Sequence, residues 1–202
     1  MTSAQTVDFY FDFASPYGYL GGLRIDALAA RHGFGVTWRP ILLGAVFKVT
    51  GMSAMMHQPL RGDYLRRDVV RFARLLGVPL TLPEVVPVNG IAASRAYYWL
   101  EAREPAAAKA LARAVYHAHW GEGRDVGSPE VVAEIGAGLG HAPAALLAGI
   151  QEPAVKARLR QETDAAIARG VFGAPFFFVG DEPFWGADRL DHLERWLSTG
   201  GW

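Results

Sequence analysis

Cysteine is absent from this chain of 202 residues. Its absence excludes disulfide bonds, thiolate zinc sites, iron–sulfur clusters and every mechanism that uses a protein thiol. A dithiol oxidoreductase is therefore excluded by composition alone. Any sulfur nucleophile that takes part in the chemistry must come from another molecule.

The chain also lacks an excess of either charge and any long apolar run. Lys and Arg number 20, Asp and Glu number 20, and the formal net charge is +0. Neither nucleic acid nor an anionic membrane is indicated as a partner. Apolar runs end well before the ~18 residues that a membrane span needs. The opening residues MTSAQTVDFYFDF resemble no secretory signal, so we expect a soluble, cytoplasmic protein.

The order of predicted elements indicates an α/β fold that carries a large helical insertion. A strand, a helix ending at Gly33 and a second strand open the chain, and two short strands and a helix close it. The ranges are 7–13, 16–32 and 34–43 for the opening, and 176–179, 183–185 and 188–197 for the close. We predict one domain from residues 1–51 and 170–202, and an inserted helical domain from residues 52–169.

The inserted region shows helical patterns and no convincing strand. Asn89 is predicted to cap one helix, and Ser128 followed by Pro129 is predicted to start another. The predicted helices are 64–76, 90–104, 106–120, one that starts at 129, 143–148 and 153–169. We see no repeat and no flexible linker, so the insertion is expected to pack on the α/β unit.

Ser15 stands where the first strand gives way to the first helix, in the stretch YFDFASPYGY. A serine before a proline at the first helical position is a common N-cap. An N-capping hydroxyl also lies among unpaired amides at the positive end of the helix dipole, where an anion is stabilised. The capping role and a functional role are compatible.

Pro175 lies in the second notable stretch, GVFGAPFFFVG. Taken alone, it favours a trans loop proline, because only about 5% of X-Pro bonds in folded proteins are cis. Taken with the βαβ opening and the ββα close, it stands where a thioredoxin-like fold carries a cis-proline loop beside its first helix.

Five blocks of the sequence resemble 2-hydroxychromene-2-carboxylate isomerases, which are glutathione-dependent DsbA-like proteins related to kappa-class glutathione transferases. SPYG stands where thioredoxin-like proteins carry a CPYC-type motif, with Ser15 at the first cysteine position and Gly18 at the second. The blocks are FDFASPYGYL, PILLGAVFKVTG, PVNGIAASRA, EGRDV and GVFGAPFFFVGDEPFWGADRL. The resemblance implies a thioredoxin-like domain with a DsbA-like helical insertion, and commonly a homodimer.

The resemblance implies a set of glutathione-binding residues. Ser15 would bind the sulfur, which fits its chemistry, because a serine without an adjacent base is a poor nucleophile whereas a thiolate is a good one. Ala174, before Pro175, would hold the peptide part through backbone hydrogen bonds. The segment that holds the γ-glutamyl end is Trp185, Gly186, Ala187 and Asp188. Asp188 also has a simpler interpretation as the N-cap of the last helix.

Lys48 and Asn89 match positions that line the substrate pocket in the family. A lysine there would pair with a carboxylate, and an asparagine would hydrogen-bond a carbonyl or a phenol. The simpler interpretations are a solvated lysine and a helix cap. After the block PILLGAVFKVTG, many members of the family have an asparagine and a nearby proline. In this chain a methionine-rich stretch, MSAMM, follows the block, and Gln58 and Pro59 come after it. The methionines predict a more apolar, adaptable pocket wall.

The implied function is a glutathione-dependent isomerisation of a small aromatic substrate by reversible thiolate addition. A kappa-like transferase and a noncatalytic binding module on the same scaffold are the alternatives. No metal site is predicted: His117 and His119 would point about 200° apart on a helix.

Overall fold

The computed structural model describes residues 5–83 and 88–202. Pro87, the first residue of the block PVNGIAASRA, lies outside these ranges, as do residues 1–4 of the predicted first domain. All structural statements below concern the described residues.

A four-stranded mixed sheet forms the centre of the α/β unit, in the order β2-β1-β3-β4. β1 runs parallel to β2 and antiparallel to β3, and β4 returns antiparallel to β3. The strands are β1 (Thr6–Phe11), β2 (Gly35–Pro40), β3 (Phe176–Val179) and β4 (Glu182–Trp185). The prediction of a βαβ opening and a ββα close is confirmed.

The described ranges also contain nine α-helices. They are α1 (Pro16–Arg31), α2 (Leu43–Thr50), α3 (Arg61–Leu76), α4 (Ile91–Glu101), α5 (Pro105–Tyr116), α6 (Pro129–Ala137), α7 (Pro143–Gln151), α8 (Pro153–Ala168) and α9 (Leu190–Thr199). A short 3-10 turn lies before α3, a π-helical turn continues α5, and another 3-10 turn lies before α9. Helices α2 to α8 all lie between β2 and β3 in the chain.

Local sequence explains several of the helix ends. Ser15 and Ser128 cap α1 and α6 with their hydroxyl oxygens, and each precedes a proline in the first turn, as predicted. Gly33 follows the last turn of α1 with φ +76°, a conformation that a glycine adopts without steric cost.

Three local predictions are wrong. The chain from Leu43 to Thr50 forms helix α2, whereas the sequence indicated a strand to residue 43 and no helix before 52. Asp188 does not cap the last helix, because a 3-10 turn over Ala187–Arg189 intervenes and no side chain caps α9. The N-cap of α4 is Gly90 and not Asn89, although the Asn89 side-chain oxygen accepts a hydrogen bond of 3.1 Å from the Ile91 amide.

The core extends from the sheet into the inserted helices. Phe9 of β1 stacks on Phe177 of β3 with ring centroids 5.1 Å apart and meets Trp38 of β2 edge-on at 4.9 Å. Phe11, on the same strand, packs against Tyr97 and Tyr116 from the insertion. One cluster of buried side chains therefore crosses the predicted domain boundary. The boundary itself stays a prediction.

Within the described ranges, no helix is long and apolar enough to cross a membrane. The same part of the chain contains no group of three or more His, Cys, Asp or Glu residues that could hold a metal ion.

Candidate functional site

Ser15 lies in the turn between the end of β1 and the start of α1, and it is 6% exposed. Its Oγ accepts a hydrogen bond of 3.0 Å from the Gly18 amide, which is the capping contact. The same hydroxyl donates a hydrogen bond of 2.9 Å to the carbonyl oxygen of Ala174. The structure therefore joins two sequence-predicted site residues directly.

The loop that carries Ala174 has a cis peptide bond between Ala174 and Pro175, as the fold context predicted. The Pro175 ring lies over Gly21 of α1, where an added Cβ would stand 3.3 Å from the proline Cγ. The Gly186 amide donates a hydrogen bond of 3.0 Å to the Pro175 carbonyl. This bond ties the segment 185–188 to the loop beside Ser15.

The hydrogen-bond partners of the Ser15 hydroxyl are both backbone groups. Within residues 5–83 and 88–202, no imidazole or carboxylate is hydrogen-bonded to its oxygen, so this part of the chain does not make the contacts that activate a serine nucleophile. The first turn of α1 carries no acidic residue, so the positive end of the helix dipole is not offset within that turn. The arrangement favours the stabilisation of an anion beside Ser15.

Gly18 occupies the second cysteine position of the motif and is closed to any side chain. A Cβ added there would lie 2.5 Å from the Tyr116 hydroxyl and 3.2 Å from the Ser15 Cβ. Tyr116 is held in place because its hydroxyl donates a hydrogen bond of 2.9 Å to the Asp12 carbonyl. Burial raises the pKa of Tyr116 well above its ordinary value, so the hydroxyl remains a donor.

Two hydrogen bonds from the insertion support the turn at Ser15, and the sequence predicts neither of them. Trp120 donates a hydrogen bond of 2.9 Å from its indole nitrogen to the Phe13 carbonyl, and Tyr116 bonds Asp12 as described. These partners lie 104 and 107 positions apart in the chain, and no motif in the sequence pairs Tyr116 or Trp120 with the turn. Asp12 did carry a signal, as a carboxylate among aromatic residues at a strand end.

Tyr17, inside the motif, links α1 to α3. Its hydroxyl donates a hydrogen bond of 2.6 Å to the Asp68 carboxylate. Asp68 also accepts hydrogen bonds from Tyr64 and Arg71. Burial, together with the Asp68 carboxylate, raises the pKa of Tyr17, so the phenol stays protonated near neutral pH.

The segment 185–188 presents both buried and exposed side chains. Trp185 is 48% exposed and meets Phe172 edge-on at 4.8 Å. Gly186 has φ +108°, a conformation that L side chains rarely adopt. Ala187 is buried, and the Asp188 carboxylate is exposed. An exposed aromatic side chain, a turn that needs glycine and an exposed carboxylate 3.6 Å from the Arg189 guanidinium thus lie next to the cis-proline loop.

The four predicted substrate residues lie on three separate segments, and no hydrogen bond found among the described residues joins them to Ser15. Lys48 is exposed in the last turn of α2. Gln58 is held locally, because its amide nitrogen donates to the Ser53 carbonyl at 2.9 Å and its oxygen accepts from Arg61 at 2.8 Å. Pro59 and Asn89 are exposed.

The two histidines of the stretch HAHW contact different partners and do not form a shared site. His117 lies 3.4 Å from Glu122, whereas buried His119 places Nδ1 2.8 Å from the Arg124 carbonyl. His119 Nε2 is buried and has no hydrogen-bond partner among the residues that the structure describes. Burial lowers the pKa of His119.

Comparison with known proteins gives consistent matches over nearly the whole chain. A family model described as a DSBA-like thioredoxin domain matches residues 6–198. The 2-hydroxychromene-2-carboxylate isomerase of Pseudomonas putida is 36% identical over 190 residues, which are 93% of this chain and 92% of that protein. Glutathione s-transferase kappa 2 of Caenorhabditis elegans is 26% identical over 211 residues, covering 98% of this chain and 94% of that protein.

A solved structure of a 2-hydroxychromene-2-carboxylate isomerase superposes on the chain with a TM-score of 0.87 at 34% sequence identity. The match covers 96% of this chain and 94% of that one. The sheet order and the inserted helices described above are therefore shared with a protein of similar length.

Proposed function

Because this chain belongs to the 2-hydroxychromene-2-carboxylate isomerase family of DsbA-like thioredoxin-domain proteins, we propose that it is a glutathione-dependent isomerase. The proposed reaction interconverts 2-hydroxychromene-2-carboxylate and trans-o-hydroxybenzylidenepyruvate, or a related intermediate of aromatic catabolism. The observation that carries the proposal is the position of Ser15, which is buried at the N-terminus of α1 and hydrogen-bonded to the Ala174 carbonyl of the cis-proline loop.

The residues at this position fit the thiol of glutathione. The chain has no cysteine of its own, and the Ser15 hydroxyl lies at a helix N-terminus with no acid in the first turn. A thiolate placed there gains a hydrogen bond and a favourable dipole. The similarity to kappa-class glutathione transferases supports the same cofactor.

The peptide part of glutathione would lie along the loop at Ala174. The Ser15 hydroxyl has one proton, and it is donated to the Ala174 carbonyl. Turning that proton toward a bound sulfur frees the Ala174 carbonyl, which can then accept a hydrogen bond from an amide of the extended peptide. Trp185, Gly186, Ala187 and Asp188 would hold the γ-glutamyl end.

The open-chain enone forms from the hydroxychromene when the ring C–O bond breaks and the hydroxyl proton passes to the phenol oxygen. Glutathione bound beside Ser15 would supply a thiolate for reversible addition to that enone, which permits rotation about the former double bond and leaves the thiol unconsumed. Ser15 would stabilise the sulfur whenever it carries negative charge. Because the thiol is regenerated, no oxidant or reductant is needed.

The substrate would lie between Ser15 and the segment that follows α2. Lys48 would pair with the substrate carboxylate, and Asn89 would hydrogen-bond a carbonyl or a phenol. Gln58 and Pro59 would complete the wall with the methionines before them. Met55 and Met56 pack in part against the core, whereas Met52 is 41% exposed.

One incubation distinguishes the proposed isomerase from its nearest alternative. The protein is mixed with 2-hydroxychromene-2-carboxylate and a known amount of glutathione, the spectrum is followed, and free thiol is titrated at the end. We expect isomer formation with full recovery of thiol. Stoichiometric loss of thiol would instead indicate a kappa-like transferase.

A noncatalytic binding module is the alternative from another class. It predicts no spectral change with any hydroxychromene carboxylate and no effect of Ser15→Ala on activity. The absence of a thermal shift with glutathione would contradict the proposed cofactor. The homodimer and the cytoplasmic location stay predictions.

A further inference from the structure

Asp12 is a buried carboxylate on which three segments of the proposed site meet. It follows β1 directly and is 5% exposed. The turn that carries Ser15, the helix that carries Lys48 and the corner beside Asn89 all approach it. The proposed chemistry assigns it no role, yet burying a carboxylate is costly unless its oxygens are hydrogen-bonded.

The two carboxylate oxygens of Asp12 accept hydrogen bonds from two of these segments. Oδ1 accepts from the Ala14 amide at 2.9 Å, in the turn immediately before Ser15. Oδ2 accepts from the Leu43 amide at 2.7 Å, at the first residue of α2. Helix α2 has no side-chain cap of its own. Asp12 therefore supplies, from 31 residues away, an acceptor for one of the N-terminal amides that a helix leaves unpaired.

The third segment approaches Asp12 at Gly90, next to Asn89. A Cβ added at Gly90 would lie 3.0 Å from Asp12 Oδ1. A larger residue would displace either the carboxylate or the start of α4. The backbone of Asp12 is fixed as well, because its carbonyl accepts hydrogen bonds of 2.9 Å from both the Ser15 amide and the Tyr116 hydroxyl.

The groups that face the Asp12 carboxylate are mostly uncharged. The turn and α2 present backbone amides, α4 presents Gly90, and α5 presents the protonated phenol of Tyr116. No cation is paired with it among the described residues. Burial raises the pKa of Asp12 above its ordinary value of 3.8, and the hydrogen bonds from Ala14 and Leu43 oppose that rise.

We propose that Asp12 is a positioning residue that sets the distance between Ser15 and Lys48 by binding the Ala14 and Leu43 amides together. The inference rests on the proposed function, because it assigns Lys48 to the substrate carboxylate and Ser15 to the thiol. A carboxylate suits this task because it accepts in two directions at once. An asparagine can accept through only one of its two terminal atoms, and its NH2 group would face an N–H donor.

The test is Asp12→Asn, with Asp8→Asn as the matched control. Asp8 lies on the same strand and is partly buried in ion pairs with Arg39 and Arg169, outside the site. We expect Asp12→Asn to lower kcat/KM roughly 10- to 100-fold, mainly by raising KM for the carboxylate substrate. Glutathione affinity should stay within about twofold, because residues 174 and 185–188 are untouched. Asp8→Asn should lose stability with KM unchanged.

An unchanged KM in a folded Asp12→Asn protein would overturn the inference. If that variant does not fold, the inference is tested by following the amide resonances of the unsubstituted protein by NMR as the pH is changed. The Ala14 and Leu43 amide resonances should then shift with one common midpoint above pH 3.8, and independent midpoints, or no shift at either amide, would overturn the inference. An inactive unsubstituted protein would contradict the proposed function, and the titration would still report whether Asp12 joins the two segments.

Discussion

The Ser15 hydroxyl and the Ala174 carbonyl, 159 positions apart in the chain, are joined by a hydrogen bond of 2.9 Å. The bond crosses from the N-terminus of α1 to the loop with the cis peptide bond. It uses the only proton that the serine hydroxyl can donate, and the Gly18 amide occupies one acceptor position on the same oxygen. Binding of a thiol beside Ser15 must therefore compete with Ala174 for that proton.

Replacing Ser15 by Ala should affect both stability and activity. Loss of the cap should cost about 1 kcal/mol of unfolding free energy, and loss of the donor should reduce kcat roughly 10²- to 10³-fold. Ser128→Ala is the matched control, since its Oγ caps α6 before Pro129 in the same way. Urea unfolding and isomerase assays of both variants check the prediction. Equal activity in the two would contradict the role given to Ser15.

Replacing Gly18 by Ala should destabilise the fold. The new methyl group would meet the Tyr116 hydroxyl at 2.5 Å, and overpacking of this kind costs typically about 1–3 kcal/mol. Tyr116→Phe in the same protein should recover part of the loss. Gly44→Ala in α2, where nothing lies within 4 Å, should instead be neutral or stabilising by about 0.5–1 kcal/mol. Urea unfolding of the variants tests this, and a strictly additive double variant would argue against the contact.

Replacing Lys48 by Met should weaken binding of the substrate carboxylate. Loss of a partly solvated ion pair of about 1 kcal/mol corresponds to a rise in KM of roughly fivefold. Lys156→Met, at an exposed position on α8, is the control and should leave KM as it is. Steady-state kinetics with a carboxylate and an uncharged substrate analogue separate charge from packing. A similar KM change for both substrates would contradict the pairing.

The buried His119 should make the fold sensitive to mild acid. Because burial lowers its pKa in the folded state, the unfolded chain takes up the proton at higher pH. The stability that neutral His119 contributes is present above about pH 6.5 and is lost as the pH falls toward the folded-state pKa. His119→Asn keeps a donor for the Arg124 carbonyl and cannot protonate. Unfolding free energies at pH 8.0 and 5.5 should therefore differ less in this variant than in the parent.

Much of the fold could be predicted because its signals are local. Ser15 and Ser128, each followed by a proline, predict the starts of α1 and α6. The runs VDFYF and FFFV predict strands by their aromatic and β-branched composition. The cis bond at Pro175 could be predicted only from the order of the elements around it, since an isolated X-Pro bond favours trans.

The errors arose where distant residues decide local structure. Helix α2 contains Val46 and Val49, which favour strands, and its first amide is satisfied by Asp12 from the end of β1. No local pattern in 43–50 shows that contact. Asp12 itself was assigned to a strand that alternates, yet β1 ends at Phe11 and the carboxylate turns inward. Asp188 lies within the 3-10 turn that follows Gly186, and it is therefore not at the N-cap position of α9 that was predicted for it.

The closed space at Gly18 limits what redox chemistry could be engineered into this scaffold. A Ser15→Cys protein could exchange with oxidised glutathione, forming one protein–glutathione disulfide and releasing one glutathione thiolate. With no second sulfur able to fit at position 18, nothing inside the protein could attack that disulfide. The modification would persist until an external thiol removed it, so the scaffold would act as a glutathione trap and not as a catalyst of disulfide exchange.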